Sequence, residues 1–393
     1  METSFIYDMH VPTRTLFGAG QLDNLYRQDL PGKNALLVIS NGRSTRANGY
    51  LARVEEQLSK ADIEYTIFDQ VESNPLKSTV MKGSNVARLH SCDFVIALGG
   101  GSVMDASKAI AAMATNDGDL WDYIFFGTGK GKPLCVRPLP LVAIPTTSGT
   151  GSENDSGAVI TNAETNEKTA FFSEGSFPVL SIVDPELTLS VPTRFTAYQG
   201  FDALFHAIEV YVANSANLMS DMYALTIIRN VARNLVTAVK MGDNLEARTR
   251  LAFGSTLAGT AMTVGTCCSE HALEHALSAY HQEMPHGAGL IMLSHAYFSH
   301  MIAIHACDQH FVDIAQAMGM EYATKPEDFL TMLVRLQEEC GVANLKMSDY
   351  GVTPDEFGML TANAKSAMSF LFACDRIPMS DTDCIAIYSA AYK

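Results

Sequence analysis

Two stretches in the second half of the chain carry the residue types that bind divalent cations. Asp202 and His206 stand four apart in FDALFHAIEVY, a stretch of helical spacing, so both project from one helix face. His271 and His275 repeat that spacing in SEHALEHALSAY, and His286 follows in MPHGAG. A carboxylate and imidazoles brought from separate helices make a mixed oxygen and nitrogen shell for one divalent ion. A single Asp/His pair on a helix is more often structural. The local density of imidazole changes that reading, because eight of the 11 histidines lie between His271 and His310. A competing reading uses the same residues. His271-Ala272-Leu273-Glu274-His275 fits H-x-x-E-H, the inverted zinc-protease pattern, with Glu274 as general base and both histidines on zinc. So short a string recurs by chance, and the protease reading gives the glycine-rich first half no role.

That first half holds two loops suited to phosphate. Gly99-Gly100-Gly101-Ser102 sits between an apolar strand pattern and a helix pattern, where glycines allow close backbone approach and a helix start presents free N–H groups. The G-x-G-x-x-G and Walker strings are both absent, and a tight turn without ligand is the bland alternative. Asp105 and Lys108, one turn apart, read as a surface ion pair if they have no other role. The second loop, Thr146-Thr147-Ser148-Gly149-Thr150-Gly151-Ser152-Glu153, follows another strand pattern with small hydroxyls and glycines suited to pyrophosphate or ribose. Both loops leave the C-terminal ends of candidate parallel strands, where open α/β sheets bind ligands.

The elements that must position these residues fall into two sets. ALLVIS, YTIFDQV, FVIALG and PLVAIP read as buried strands, separated by the helix-like YLARVEEQLSKA, TVMKGSNVARLH and VMDASKAIAAMAT. This alternation predicts an α/β dinucleotide-binding domain with a mostly parallel sheet over residues 1–188. From about Pro192 onward helical periodicity dominates, which predicts an all-helical metal-binding domain over 189–393, with the active site in the cleft between the two. Composition agrees with a globular enzyme. The 393 residues are 47% hydrophobic and 18% charged, which supports a large core. A formal charge of −16 argues against nucleic acid as a partner, and no apolar run nears the ~20 residues that span a bilayer, so no membrane partner is expected. The eight cysteines contain no C-x-x-C pair, which suggests reduced thiols in the cytoplasm.

Taken in order, GGGSVMDASKAIA, IPTTSGTGSE, SIVDPELT, FDALFHAIEVY and HALEHALSAYHQEMPHG resemble the iron-containing (group III) alcohol dehydrogenase family over nearly the whole chain. NGRSTRANGY, VESNP, WDY and DSGAVITN look most like its butanol dehydrogenase branch. The resemblance implies NAD(P) and a divalent metal, Fe²⁺ by family with Zn²⁺ or another divalent ion as an alternative. It places the metal on Asp202, His206, His271 and His286, with His275 beside nicotinamide and substrate as the catalytic residue. Gly99, Gly100, Gly101, Ser102 and Asp105 match phosphate contacts, as do Thr146, Thr147 and Thr150; Asn74 and Lys168 match further cofactor-side positions. One departure is that His271 and His286 stand fifteen apart, against about fourteen in many relatives, leaving His281 as an extra nearby imidazole.

The same resemblance, with the residues after ALLVIS, bears on the dinucleotide. Asn41 occupies the position where NAD-preferring relatives carry Asp, and no carboxylate follows before Glu55. Gly42 and Ser44 offer uncharged donors, and Arg43 and Arg46 offer guanidinium groups to phosphate oxygens. NADP is therefore expected over NAD. The expected function is hydride transfer between NAD(P)H and an aldehyde or primary alcohol by a homo-oligomer, a dimer by default. A metal-dependent lyase of the dehydroquinate synthase type is the alternative, with the zinc protease behind it.

Overall fold

The computed structural model describes residues 4–393. It divides into two compact units, Val11–Ser190 and Val191–Lys393, and the N-terminal residues 4–10 belong with the second. The boundary after Ser190 falls beside the expected 188, and the departure from the expected division is the N-terminal segment. The N-terminal segment joins the helices because Leu218 N–H donates to Ser4 O and Ser4 N–H donates to Ala216 O, both at 3.3 Å.

The first unit contains β1 (Arg14–Phe17), β2 (Asn34–Ser40), β3 (Glu64–Val71), β4 (Phe94–Gly99), β5 (Leu141–Pro145), β6 (Gly157–Asn162), β7 (Glu167–Phe172) and β8 (Leu180–Val183). Its helices are α1 (Ser44–Ala47), α2 (Tyr50–Lys60), α3 (Lys77–Leu89) and α4 (Gly101–Thr115). Six strands form a wholly parallel sheet in the order β1-β8-β5-β4-β2-β3. The central strands are continuous apolar runs because both faces are covered. Leu36, Val38, Val95 and Ala97 pack with α3 and α4 on one face, while Leu37, Ile39, Ile96 and Leu98 pack with α2 on the other. The chain runs from β2 outward to β3 and then returns to β4, so the strand order reverses between β2 and β4. A crevice at the C-terminal ends of such a pair is where doubly wound sheets take ligands.

The β6–β7 hairpin is antiparallel and was not expected. Its buried polar residues, Thr161, Lys168 and Thr169, hide the alternation that normally marks a strand. The hairpin and the turn before it correct the surface reading of Asp105 and Lys108. Lys108 is fully buried and donates to Ser152 Oγ (2.8 Å), Asp155 Oδ1 (2.7 Å) and Gly157 O (2.7 Å). Asp105 accepts from Ser152 Oγ (2.7 Å) and Val159 N–H (2.9 Å). Burial pushes its carboxyl up to about 6 against the opposing pull of Lys108. These two side chains pin the hairpin to α4 and form no surface pair.

The second unit is helical: α5 (Thr193–Val212), α6 (Leu218–Lys240), α7 (Leu245–Val264), α8 (Ser269–Tyr280), α9 (His286–Ala303) and further helices to Ala391. From Thr196 to Val212 every residue of α5 except Gln199 is buried, so it is the axis of this core. Gly200 lets α6 approach closely, since a Cβ there would lie 2.2 Å from Leu235 Cδ1.

Lys108→Met keeps the stem volume and removes the ammonium, leaving Asp155 without its buried partner. Removing one member of a buried pair costs about 3–5 kcal/mol. Urea unfolding followed by circular dichroism should show a loss of that order, and a change within about 0.5 kcal/mol, as for an ordinary surface substitution, would show that Lys108 does not anchor the hairpin.

Candidate active site

Asp202 and His206 project from the same face of α5, His271 and His275 from α8, and His286 is the first residue of α9. Backbone features bring the three helices together. Pro285 caps α9 at φ −65°, a value its ring already prefers. Gly287 lets the start of α9 rest on α5, because a Cβ there would meet Tyr198 O at 2.3 Å. The N-terminus of α8 is tied to α5 by Glu209, which accepts the N–H of Cys268 at 2.8 Å and that of His271 at 3.4 Å.

The result centres on one oxygen. Asp202 Oδ1 lies 3.6 Å from His206 Nδ1, 3.7 Å from His271 Nε2 and 3.5 Å from His286 Nε2. The His206 and His271 rings stack at 4.5 Å, and His286 stands 5.4 Å from His271 between centroids. Neither Asp202 Oδ1 nor His271 Nε2 makes a hydrogen bond, although both are buried. Buried polar atoms without partners are rare and call for a ligand or ion. Asp202, His271 and His286 each present a ligand atom within 4.8 Å of the others. His206, Cys267 and His271 form a second such trio and Glu274, His275 and His286 a third. The first has the strongest claim, since Asp202 Oδ1 is the atom about which three imidazoles gather. His275 sits beside this group, 5.2 Å from the His286 ring and 6.3 Å from that of His271. His281 does not join it, because its Nε2 faces Glu356 Oε1 at 3.2 Å.

The electrostatics follow from that crowding. Burial opposes ionisation of Asp202, but His206, His271 and His286 outweigh it and hold the carboxyl well below its usual range. Burial opposes protonation of His271 as well, yet Glu209 and Asp202 together push it up to about 10 in the metal-free protein. Glu209 bonds His271 Nδ1, and Glu274 bonds His286 Nδ1. Glu274 is therefore committed to an imidazole at full burial, which overturns its reading as a protease general base. Glu209 was missed. The signal for it was present, because Asp202, His206 and Glu209 stand at i, i+4 and i+7 on one helix face.

In the α/β unit the two glycine-bearing loops pack on each other. Thr146 N–H donates to Gly99 O at 2.8 Å. A Cβ on Gly100 would lie 3.0 Å from Thr147 Cγ2, and one on Gly101 2.4 Å from Thr150 Cγ2, so Thr147 and Thr150 occupy the space those glycines leave. Ser102 follows in the first turn of α4, whose N-terminus is an anion-binding dipole end. Ser40, Asn41, Gly42, Arg43, Arg46 and Asp69 line a cavity of about 520 Å³ at the end of β2, and Ser44 begins α1 beside it. Asp69 had not been expected there; it arrives on β3 and pairs with Arg46 at 2.8 Å. Asn74, in the left-handed region at φ 52°, accepts from buried Lys168 Nζ at 3.1 Å, which joins the end of β3 to the hairpin.

Comparison with known proteins agrees with both halves. The model of the iron-containing alcohol dehydrogenase family matches residues 12–185, and the model of that family's C-terminal domain matches residues 196–392. The 1,3-propanediol dehydrogenase of Klebsiella pneumoniae is 36% identical over 361 residues, covering 90% of each chain. A probable NADH-dependent butanol dehydrogenase of Bacillus subtilis is 32% identical, covering 91% of this chain and 93% of its own. Among solved structures, an archaeal halo-thermophilic alcohol dehydrogenase from a Red Sea brine pool superposes with a TM-score of 0.94 at 28% identity over the full length of both chains.

Asp375 is another carboxyl in the core around α8. Asp375 accepts the N–H of Ser269 (3.1 Å) and the hydroxyl of Tyr297 (3.2 Å). Burial pushes it up to about 7 despite those bonds. Between pH about 4 and about 7 the folded protein keeps a proton that the unfolded chain has lost, so this group's contribution to stability falls as pH rises through that window. Asp375→Asn keeps the acceptor without the charge. Urea titrations at pH 5 and pH 8 should show the variant losing less stability than the parent between the two conditions; equal losses would show that Asp375 is not the group responsible.

Proposed function

The chain belongs to the iron-containing alcohol dehydrogenase family and is a metal-dependent oxidoreductase, and from that premise we propose that it interconverts an aldehyde and its primary alcohol, with Asp202, His206, His271 and His286 as the ligands of one divalent ion and NADP(H) as the preferred cofactor. The observation that carries the ligand set is Asp202 Oδ1, buried, without a hydrogen bond, and 3.5–3.7 Å from three imidazole nitrogens. One carboxylate oxygen and three imidazole nitrogens form a borderline donor set that suits Fe²⁺ and also Zn²⁺ or Co²⁺.

When bound, the ion supplies Lewis acidity toward the substrate oxygen and the nicotinamide carries the hydride. The protein's own part is to orient and to move a proton. Asp202, ionised at any working pH, supplies the negative charge that favours a cation among the imidazoles. His275, at the margin of the cluster, donates a proton to the oxygen as aldehyde becomes alcohol and takes it back in the reverse direction. In the α/β unit the bare backbone of Gly99–Gly101 and the N-terminus of α4 receive the pyrophosphate, with Ser102, Thr146, Thr147 and Thr150 as hydroxyl donors. Asp105 supports this surface from within by fixing the hairpin, and the Asn74–Lys168 pair forms its flank.

For the cofactor, Asn41 leaves the end of β2 without a charge that would repel a 2′-phosphate, and Arg43 lines the same cavity. Asp69 would oppose a phosphate, but its pairing with Arg46 compensates its charge. The Bacillus relative is named for NADH, so the preference is a property of this chain's own residues. A reducing cytoplasm and a homodimer are the proposed setting. Support comes from cysteines that all remain free thiols and from the prevalence of two-fold assemblies among soluble enzymes.

Two experiments test these assignments. His206→Ala should lose the bound ion and turnover while the helical circular dichroism persists, whereas His275→Ala should keep the ion and lower kcat by about 10²-fold or more. One tightly held ion per chain in His206→Ala, by elemental analysis, would show the ligand set to be wrong. For the cofactor, kcat/KM with NADPH should exceed that with NADH by about tenfold, as one charge-assisted hydrogen bond allows. Asn41→Asp and Arg43→Ala should each reduce that ratio. A parent enzyme that prefers NADH, or an Asn41→Asp variant with an unchanged ratio, would place the 2′ reader elsewhere.

A further inference from the structure

Each of the two histidines that α8 and α9 bring to Asp202 rests its other ring nitrogen on a carboxylate with no solvent exposure: Glu209 for His271 and Glu274 for His286. We propose that Glu209 and Glu274 are positioning residues of the metal site, each holding its imidazole as the Nδ1–H tautomer so that Nε2, beside Asp202, is left for the ion. The proposal rests on the ligand set given above. An imidazole that donates Nδ1–H to a carboxylate is fixed in orientation and made more basic at Nε2, and loss of such a partner weakens metal binding.

The two carboxylates differ in what else they do. Glu209 also receives the backbone N–H groups of Cys268 and His271, so it ties α5 to the start of α8 as well as aiming a side chain. Glu274 lies in the middle of α8, where the helix N–H groups are already used, so it has no capping duty. A carboxylate buried in a helical core costs several kcal/mol unless it is paired, and the structure around Glu274 is shaped to admit it. Gly289, one turn into α9, leaves the room: a Cβ there would lie 2.7 Å from Glu274 Cγ and 2.8 Å from Glu274 Oε1. His286 and Gly289 thus stand three apart on the same helix, one bonded to the carboxylate and the other making space for it. The Glu of HALEH, which in sequence resembles a catalytic base, is on this reading a brace for a ligand fifteen residues from the first histidine.

The test measures metal affinity rather than turnover. Apo protein is titrated with Co²⁺ against a chromophoric chelator, and the visible ligand-field bands of the loaded protein are recorded. Glu209→Gln and Glu274→Gln preserve shape; Gly289→Ala pushes the Glu274 carboxylate from its place without altering it. Apo thermal unfolding is run alongside for each. We expect all three variants to fold and to bind Co²⁺ about 10–100-fold more weakly, with altered band intensity. Affinities within threefold of the parent would overturn the proposal. So would variants whose apo form is destabilised while the folded fraction binds Co²⁺ as the parent does, because the carboxylates would then be structural only. Failure of the ligand set itself looks different: the parent protein would bind no Co²⁺ at this site, or His206→Ala would bind it unchanged.

Discussion

A carboxylate enclosed by imidazoles in the middle of a helical core is the constraint on which the second unit depends. Asp202 is 4% exposed and stays ionised, and a lone buried carboxylate would cost several kcal/mol. Glu209 and Glu274 add two more buried acids within the same small volume. Positive charge has to come from somewhere. The same demand acts on His271, which Glu209 and Asp202 push up to about 10 against the burial that opposes its protonation. A divalent cation on imidazole nitrogens takes the place of their protons, so on the proposed ligand set metal binding and imidazole deprotonation would be linked. Glu270 answers the same pressure differently: burial and the adjacent Glu209 push it well above its usual range.

Holding so many charges together requires helices that approach more closely than side chains normally allow. Gly200 brings α6 against α5, Gly287 brings α9 against α5, and Gly289 opens space between α9 and α8. Glycine inside a helix costs roughly 0.5–1 kcal/mol relative to alanine. Gly287 and Gly289 accept that cost because the alternative is a site about a side chain too wide. The α/β unit uses the same device at another scale, with Thr147 and Thr150 filling the space beside Gly100 and Gly101 so that two loops form one backbone-lined surface.

Much of this was legible in the sequence, for identifiable reasons. β2, β4 and β5 are buried on both faces, so they appear as unbroken apolar runs, and α2 to α4 carry clear helical spacing. β1 and β8 have four residues each, too few for a pattern to register, and the β6–β7 hairpin is masked by buried polar groups. Asp202, His206, His271 and His275 were visible because spacing of four survives any tertiary arrangement. What failed was the partner of each charge. Lys108 stands one turn from Asp105 yet bonds to Asp155, which only the fold brings near. Asp69 lies beyond Glu55 in sequence and still enters the cavity at Asn41, because β3 runs parallel to β2. Spacing along a helix names which residues share a face, whereas a hydrogen-bond partner from another element leaves no trace in it.

The overall charge sharpens what the cofactor site must do. At −16 the protein repels a phosphorylated dinucleotide on average, and the distance over which that repulsion acts decides whether it matters. At physiological ionic strength it is screened beyond about 8 Å, so it slows the approach slightly and contributes little to the bound state. Attraction has to be local. On the proposed cofactor surface neutral donors would do most of it: glycine amides, the N-terminus of α4 and threonine hydroxyls all favour phosphate without adding a mobile cation to the surface. Fixed cations stand near Asn41, where Arg46 is already committed to Asp69 and Arg43 lines the same cavity. The pyrophosphate, common to both dinucleotides, can be received by backbone alone; telling them apart requires a charge, and on the proposed reading the arginines that line the cavity at the end of β2 supply it.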